Sequence, residues 1–268
     1  PLPCSLSLCV CVCECVHSTS PHPLPVAVPL PCSLSLCVCV CVCVFALASM
    51  DRWFHSIPVV TRTYLAISAV VTVVVSLEIA SPFSLYFNPR LVFDRYEVWR
   101  VFTNFFYFDQ FSLNFVFHMH FLYVYWSSLE RNFFDGKTAD FVFMLLVGSL
   151  MLLLLGCFIP VPFLGFSLVF MVVYIWSRHN STQIVPILWF AIPAPWLPYF
   201  LALLSLMLGG SPTIDLMGIL VGHLYYSFRE VLPKYLTTSH ETTWLPTPAF
   251  FKRIFDRPRV EGDRPHIQ

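Results

Sequence analysis

Long apolar runs alternate along this chain with short polar or proline-rich breaks, and several runs approach the ~20 residues a helix needs to cross a bilayer. The first run, Val59–Ile79, is rich in Val and Ala, with Arg62 and Glu78 near its ends. Ahead of it, Asp51–Pro58 reads as a short amphipathic segment suited to a membrane surface. A polar and aromatic loop, Ala80–Tyr96, leads to Trp99-Arg100 and a second run that is clearest from Phe111 to Ser127. After the charged loop Glu130–Asp140 come 37 residues without a formal charge, Phe141–Ser177. That is too long for one crossing, and Pro160-Val161-Pro162 divides it into Phe141–Ile159 and Phe163–Ser177. Asn180–Ile214 is again uncharged, but Pro186, Pro193, Pro195 and Pro198 predict irregular or re-entrant backbone before a fifth span at Trp196–Leu208. A sixth span is predicted at Thr213–Phe228, and the tail from Arg229 is polar. The pattern predicts an all-α, polytopic membrane protein built as a six-helix bundle.

Composition supports the bilayer as solvent. Of 268 residues, 57% are apolar and only 11% charged, against about 25% charged in an ordinary soluble domain. The mean hydropathy is +0.74. So few charges could not cover a soluble globule, which excludes a soluble enzyme and a disordered tail, and the zero net charge excludes a basic nucleic-acid binder. Charge placement sets the orientation. With six spans and both termini in the cytosol, Arg52, Arg62, Arg131, Lys137, Arg178, Arg229, Lys234, Lys252, Arg253, Arg257, Arg259 and Arg264 fall on the cytosolic side. Arg90, Arg95 and Arg100 fall opposite, as the positive-inside bias requires.

The first 49 residues are expected to be foreign to the fold. Pro1–Val16 recurs as Pro29–Val44 with one mismatch, and the alternating Cys-Val and Leu-Ser pairs are what dinucleotide-repeat DNA encodes in frame. Ten of the eleven cysteines lie there, and the first methionine is Met50. A signal peptide needs a basic flank, which Pro1–Ala48 lacks, and the C-x-C alternation is a poor tetrahedral metal site. The expected organisation is a non-native segment 1–49, a six-span membrane domain 50–231 and a cytosolic tail 232–268.

Polar side chains inside spans should face protein or a wet cavity. The candidates for a polar groove are Asn114, His118, Ser167 and His223. Asn114 and His118 are i,i+4 and share one helix face, whereas His120 is turned away. Each His equally suits an interhelical hydrogen bond. No carboxylate or thiolate is placed to complete a metal site, and no cofactor is implied. Gly218 and Gly222 form GxxxG, which removes side-chain bulk and lets another helix approach closely, with His223 beside the crossing. Trp99-Arg100 reads either as an interfacial anchor or as part of an element embedded in one leaflet, its Arg bonding phosphates or loop carbonyls.

From about Arg52 to Asp256 the chain resembles the Derlin family, rhomboid-related pseudoproteases of the endoplasmic reticulum. The resemblance rests on Trp53-Phe54-x-Ser56-Ile57-Pro58, Tyr86–Phe93, Val98-Trp99-Arg100, Gly136–Phe141, Tyr174–Arg178 and Gly218-x-x-x-Gly222-His223-Leu224-Tyr225-Tyr226, six short motifs in this order. It implies a six-helix, rhomboid-like fold with cytosolic termini in the endoplasmic reticulum membrane, and it makes Trp99, Arg100, Gly218 and Gly222 functional motif residues. It also implies retrotranslocation: moving misfolded clients to the cytosol for degradation, alongside a membrane ubiquitin ligase complex and a cytosolic AAA ATPase, as a homo- or hetero-oligomer or alone. Short spans would thin the bilayer: the fourth, at ~15 residues, covers about 22 Å against ~30 Å of hydrocarbon. One departure is the tail, Arg257–Gln268, where no Phe-x-Gly-type motif for direct ATPase binding stands.

Two other functions compete. Active rhomboid proteases pair a Ser in Gly-x-Ser-Gly with a His on the sixth span. Here Gly165-Phe166-Ser167-Leu168 keeps the serine and loses the second glycine, while His223 falls where the base would stand. Ser167 is expected instead to bond its own helix backbone. The third reading is a passive membrane adaptor that tethers quality-control factors.

Overall fold

The computed structural model describes residues 51–108, 113–187, 190–236 and 246–255. The expected non-native segment 1–49 lies outside these residues. The chain divides into two units after Ile57. In the first unit, residues 51–56 form a helical turn in which His55 Nδ1 lies 2.9 Å from the Asp51 carbonyl oxygen.

The second unit opens with α1, Val59–Ser76. Its polarity is inverted relative to a helix of a water-soluble protein. Thr61, Tyr64, Ser68, Thr72 and Val75 recur every three or four residues and are buried, while Val70, Val73 and Leu77 are exposed. Apolar out and hydroxyl in is the arrangement a lipid solvent selects. The N-terminus of α1 is capped from a distance. The Val60 and Thr61 amides donate to the two Glu130 carboxylate oxygens at 3.0 and 2.9 Å, and the Thr61 hydroxyl adds a third bond at 2.7 Å. Glu130 itself is buried.

Three short helices follow in the loop: α2 (Pro82–Leu85), α3 (Pro89–Arg95) and α4 (Trp99–Thr103). Pro82 and Pro89 open α2 and α3 where a missing N–H costs nothing, with Ser81 and Asn88 capping their first amides. The second predicted span is longer than the sequence suggested. Helix α5 (Leu113–Phe121) widens into a π-helical turn, Leu122–Trp126, and runs on as α6, Ser127–Asn132. Helix α7, Thr138–Gly156, sends Leu146, Leu150 and Leu154 outward.

The core is α8, Gly165–His179, in which every residue from Gly165 to Ser177 is buried. It contacts α5 and its π turn, α7, α9 and α10. Helix α9 is Leu197–Met207, and α10 is Pro212–Tyr226. The path of α10 continues through a second π turn, Ser227–Val231, into α11, Leu232–Leu236, beyond the Phe228 end read from the sequence. A last helix, α12 (Ala249–Phe255), packs on α7 through Phe251 and Phe143, 6.0 Å between ring centres.

The irregular backbone expected after Asn180 is instead a hairpin, β1 (Ile184–Ile187) antiparallel to β2 (Phe190–Pro193), with Val185 opposite Ile192. Two paired strands have only edges, so Pro186 and Pro193 fit without interrupting a central ladder. Pro195 and Pro198 sit in the opening turns of the 3₁₀ segment Ala194–Trp196 and of α9. Proline is tolerated at those positions.

Among the described residues α1 and α7 have the length and apolarity of membrane spans, at 18 and 19 residues, and Ala194–Met207 is a shorter apolar helix.

Because Glu130 satisfies buried α1 amides, Glu130→Ala should lower stability in detergent by about 2 kcal/mol. Glu130→Gln, which keeps one acceptor, should cost less; thermal unfolding of both variants checks this order.

Candidate functional site

The α8–α10 seam is built by glycines. A Cβ placed at Gly218 would stand 2.2 Å from the Ser167 carbonyl oxygen, and one at Gly222 would stand 2.9 Å from that of Met171. Both steps are four residues, so the two backbones touch over a full helical turn and only glycine fits at either point. The Ser167 hydroxyl donates to the Ile214 carbonyl at 2.7 Å, one turn before Gly218. This corrects the expectation that Ser167 bonds its own helix. Once α10 comes this close, its carbonyl is a nearer acceptor than any in α8.

His223 also meets α8, but elsewhere. Its Nδ1 lies 2.7 Å from the Tyr174 hydroxyl, which accepts a bond from Arg178 Nε at 2.9 Å. Tyr174 is seven residues beyond Ser167, about 10 Å along the helix. The seam therefore holds Ser167 and His223 at separate levels, each with its own partner. His118 meets the adjoining face of α8, buried with its ring 4.3 Å from Phe166 and 5.8 Å from Phe170. His120 is exposed, on a different face from buried His118, as the spacing of the two predicts. The side chain of Asn114 lies outside the described residues. The structure thus joins Ser167, Gly218, Gly222 and His223 along one helix pair, and sets His118 among phenylalanines rather than with them.

Trp99 and Arg100 point apart. Trp99 is exposed, whereas the Arg100 side chain is buried. Arg100 Nε donates to Glu97 Oε2 at 2.5 Å, and Nη1 donates to the carbonyls of Phe83 at 2.8 Å and Tyr86 at 3.2 Å. The guanidinium also lies 5.1 Å from the centre of the Tyr86 ring. Of the two partners the sequence allowed, the arginine uses loop carbonyls, so it pins α2 to α4. The Asn104 amide donates to the Arg100 and Val101 carbonyls at 2.6 and 2.8 Å. The loop is fastened to the bundle by the Tyr64 hydroxyl, which donates to the Phe105 carbonyl at 2.6 Å, and by the Phe87 amide, which donates to Pro162 at 2.8 Å. Its outer surface carries exposed Phe83, Phe93, Tyr96, Val98, Trp99 and Phe102.

Sequence reading missed Glu97, Glu130, Tyr174 and Asp215. Asp215 is buried in the first turns of α10 beside the Ser205 hydroxyl. A formal charge inside a predicted span was the available signal for Asp215; for Glu97 it was an acid three residues before Arg100, just ahead of the short helix α4. Glu130 and Tyr174 pair across about 70 and 49 positions, and no local pattern announces that. Among the described residues no group of three or more His, Cys, Asp or Glu is arranged to hold a metal.

Known proteins match the chain over most of its length. A sequence model of the Der1-like family matches residues 57–249. The chain is 42% identical to Derlin-2 of Oryza sativa subsp. japonica over 229 residues, 81% of this chain and 90% of the relative. It is 42% identical to Derlin-2.2 of Arabidopsis thaliana, over 79% of this chain and 91% of the relative. A probable derlin-2 homolog of Dictyostelium discoideum is 38% identical over 77% and 83%. By the match to the family model and to these relatives over most of its length, this chain belongs to the Der1-like family of helical membrane proteins.

Proposed function

We propose that the chain works in endoplasmic-reticulum-associated degradation, easing the passage of misfolded polypeptides from the lumen to the cytosol without cutting them. The family is one of helical membrane proteins with a general role in this degradation. In this reading the bundle crosses the endoplasmic reticulum membrane six times with both termini in the cytosol. A membrane ubiquitin ligase and a cytosolic ATPase receive the client.

The observation that carries the reading is the short central helix. Helix α8 has 15 residues, about 22 Å at 1.5 Å per residue, against ~30 Å of hydrocarbon. A bundle organised around so short an element draws the two lipid surfaces together, and thinner hydrocarbon lowers the cost of moving polar chain across it. The exposed aromatic surface of α2–α4 would sit in one leaflet and extend that distortion sideways.

The absence of cleavage is supported by the seam. A serine nucleophile needs its base within hydrogen-bond reach and donors for an oxyanion. Here the Ser167 hydroxyl is spent on Ile214, and Tyr174 engages His223.

Gly218→Leu and Gly222→Leu should each abolish export of a misfolded lumenal glycoprotein while the ubiquitin ligase still co-purifies. Gly222→Ala, with a milder clash, should retain part of the activity. Unchanged export in both leucine variants would favour the adaptor. A fluorophosphonate probe should leave Ser167 unlabelled, and Ser167→Ala should export clients normally; labelling lost in Ser167→Ala would restore the protease reading. Replacing Trp99 with Ala should weaken export without changing membrane insertion or thermal stability, whereas Arg100→Ala should also loosen the α2–α4 loop, read as faster proteolysis there.

A further inference from the structure

A groove of about 490 Å³ runs between the N-terminal halves of α1 and α7 and is closed at one end by α12. That is within the range of small-ligand pockets, about 300–1,000 Å³. Val60, Tyr64, Ile67, Phe106, Val142 and Phe255 supply its apolar lining. Val59, Ile67 and Ile254 on its margin are all more than a third exposed, so the groove opens sideways where lipid would stand.

Its rim is cationic. Lys137 lies between Gly136 and Thr138, which both line the groove, and Lys252 and Arg253 immediately precede Ile254 and Phe255, which line it from α12. All three are exposed. Among the described residues none of their side chains makes a hydrogen bond or an ion pair. The nearby acids are largely committed. Glu130 is held by the α1 amides, and Asp140 accepts a hydrogen bond from Thr247 and stands 3.8 Å from Arg229. Among the described residues Asp135, exposed in the same loop as Lys137, is the one nearby acid left uncommitted, so the three described cations outnumber it. Helix α12 has the make-up of an interfacial element: Phe251 is anchored on Phe143, Phe250 and Ile254 are exposed, and the two cations stand between them.

We propose that this groove binds one anionic glycerophospholipid, with an acyl chain between α1 and α7 and its phosphate and acidic headgroup against Lys137, Lys252 and Arg253. The apolar cleft calls for hydrocarbon, and the unneutralised cations call for an anion at its end. A phospholipid carries both on one molecule. The site is separate from the α8–α10 seam and does not depend on client export, so it is tested without it.

The full chain, purified in a neutral detergent, is titrated with phosphatidylserine and with phosphatidylcholine of the same acyl chains, and bound lipid is counted by native mass spectrometry. Phosphatidylserine should bind at least about tenfold more tightly, because each basic residue near an anionic headgroup adds severalfold in affinity. The triple variant Lys137→Gln, Lys252→Gln, Arg253→Gln should erase that preference and leave phosphatidylcholine unchanged. These positions are exposed, so the variant keeps the packing intact. Val142→Trp should fill the groove and reduce binding of both lipids, and glycerophosphoserine, which has no chains, should fail to compete. Equal affinity for the two lipids, an unaffected triple variant, or full competition by glycerophosphoserine would each overturn the proposal.

Discussion

Close approach of two backbones, α8 and α10, is the constraint from which the rest of the molecule follows. In lipid no hydrophobic force draws helices together, since both alternatives are equally apolar. Association must come from dispersion at short range and from hydrogen bonds that lipid cannot replace. Gly218 and Gly222 supply the first by leaving no side chain between the helices. The Ser167–Ile214 and Tyr174–His223 bonds supply the second, one above and one below the contact. A helix so enclosed has no free face, and that is why α8 can be apolar all round yet short.

The same logic explains how the remaining polar groups are spent. Glu130, Arg100 and the Tyr64 hydroxyl each bond backbone groups of another element. Each joins segments far apart in sequence: α6 to α1, α4 to α2, α1 to the loop beyond α4. The Thr61 and Tyr64 hydroxyls on α1 and the arginine in the loop work as fasteners, so their polarity is structural as much as functional. An arginine suits the Arg100 position because its fixed fork reaches two carbonyls and one carboxylate together, and its flat face lies on Tyr86.

Much of this was legible in the chain itself. Apolar runs bounded by charge placed the helices to within a few residues, the period-four glycines marked the seam, and the spacing of His118 and His120 put them on different faces. Proline is ambiguous: Pro186 and Pro193 suggest irregular backbone, yet a hairpin composed only of edges admits both. The destination of Ser167 is ambiguous as well. Which acceptor a hydroxyl takes depends on how near the next helix comes, and that distance is a property of tertiary packing rather than of local sequence. Glu130 and Tyr174 were invisible for the same reason, since their partners are fixed only once the helices have assembled.

The π turn at Leu122–Trp126 has a consequence for how one helix serves two neighbours. A π turn adds about one residue to the ordinary helical repeat, and each residue advances the helix by about 100°. His118, before the widening, looks toward the phenylalanines of α8, and Glu130, after it, looks toward the start of α1. The extra residue acts as a phase shifter between those two outlooks. Its loss would leave the first half of the rod in place and swing the second, so that the α1 amides would face a different side chain altogether.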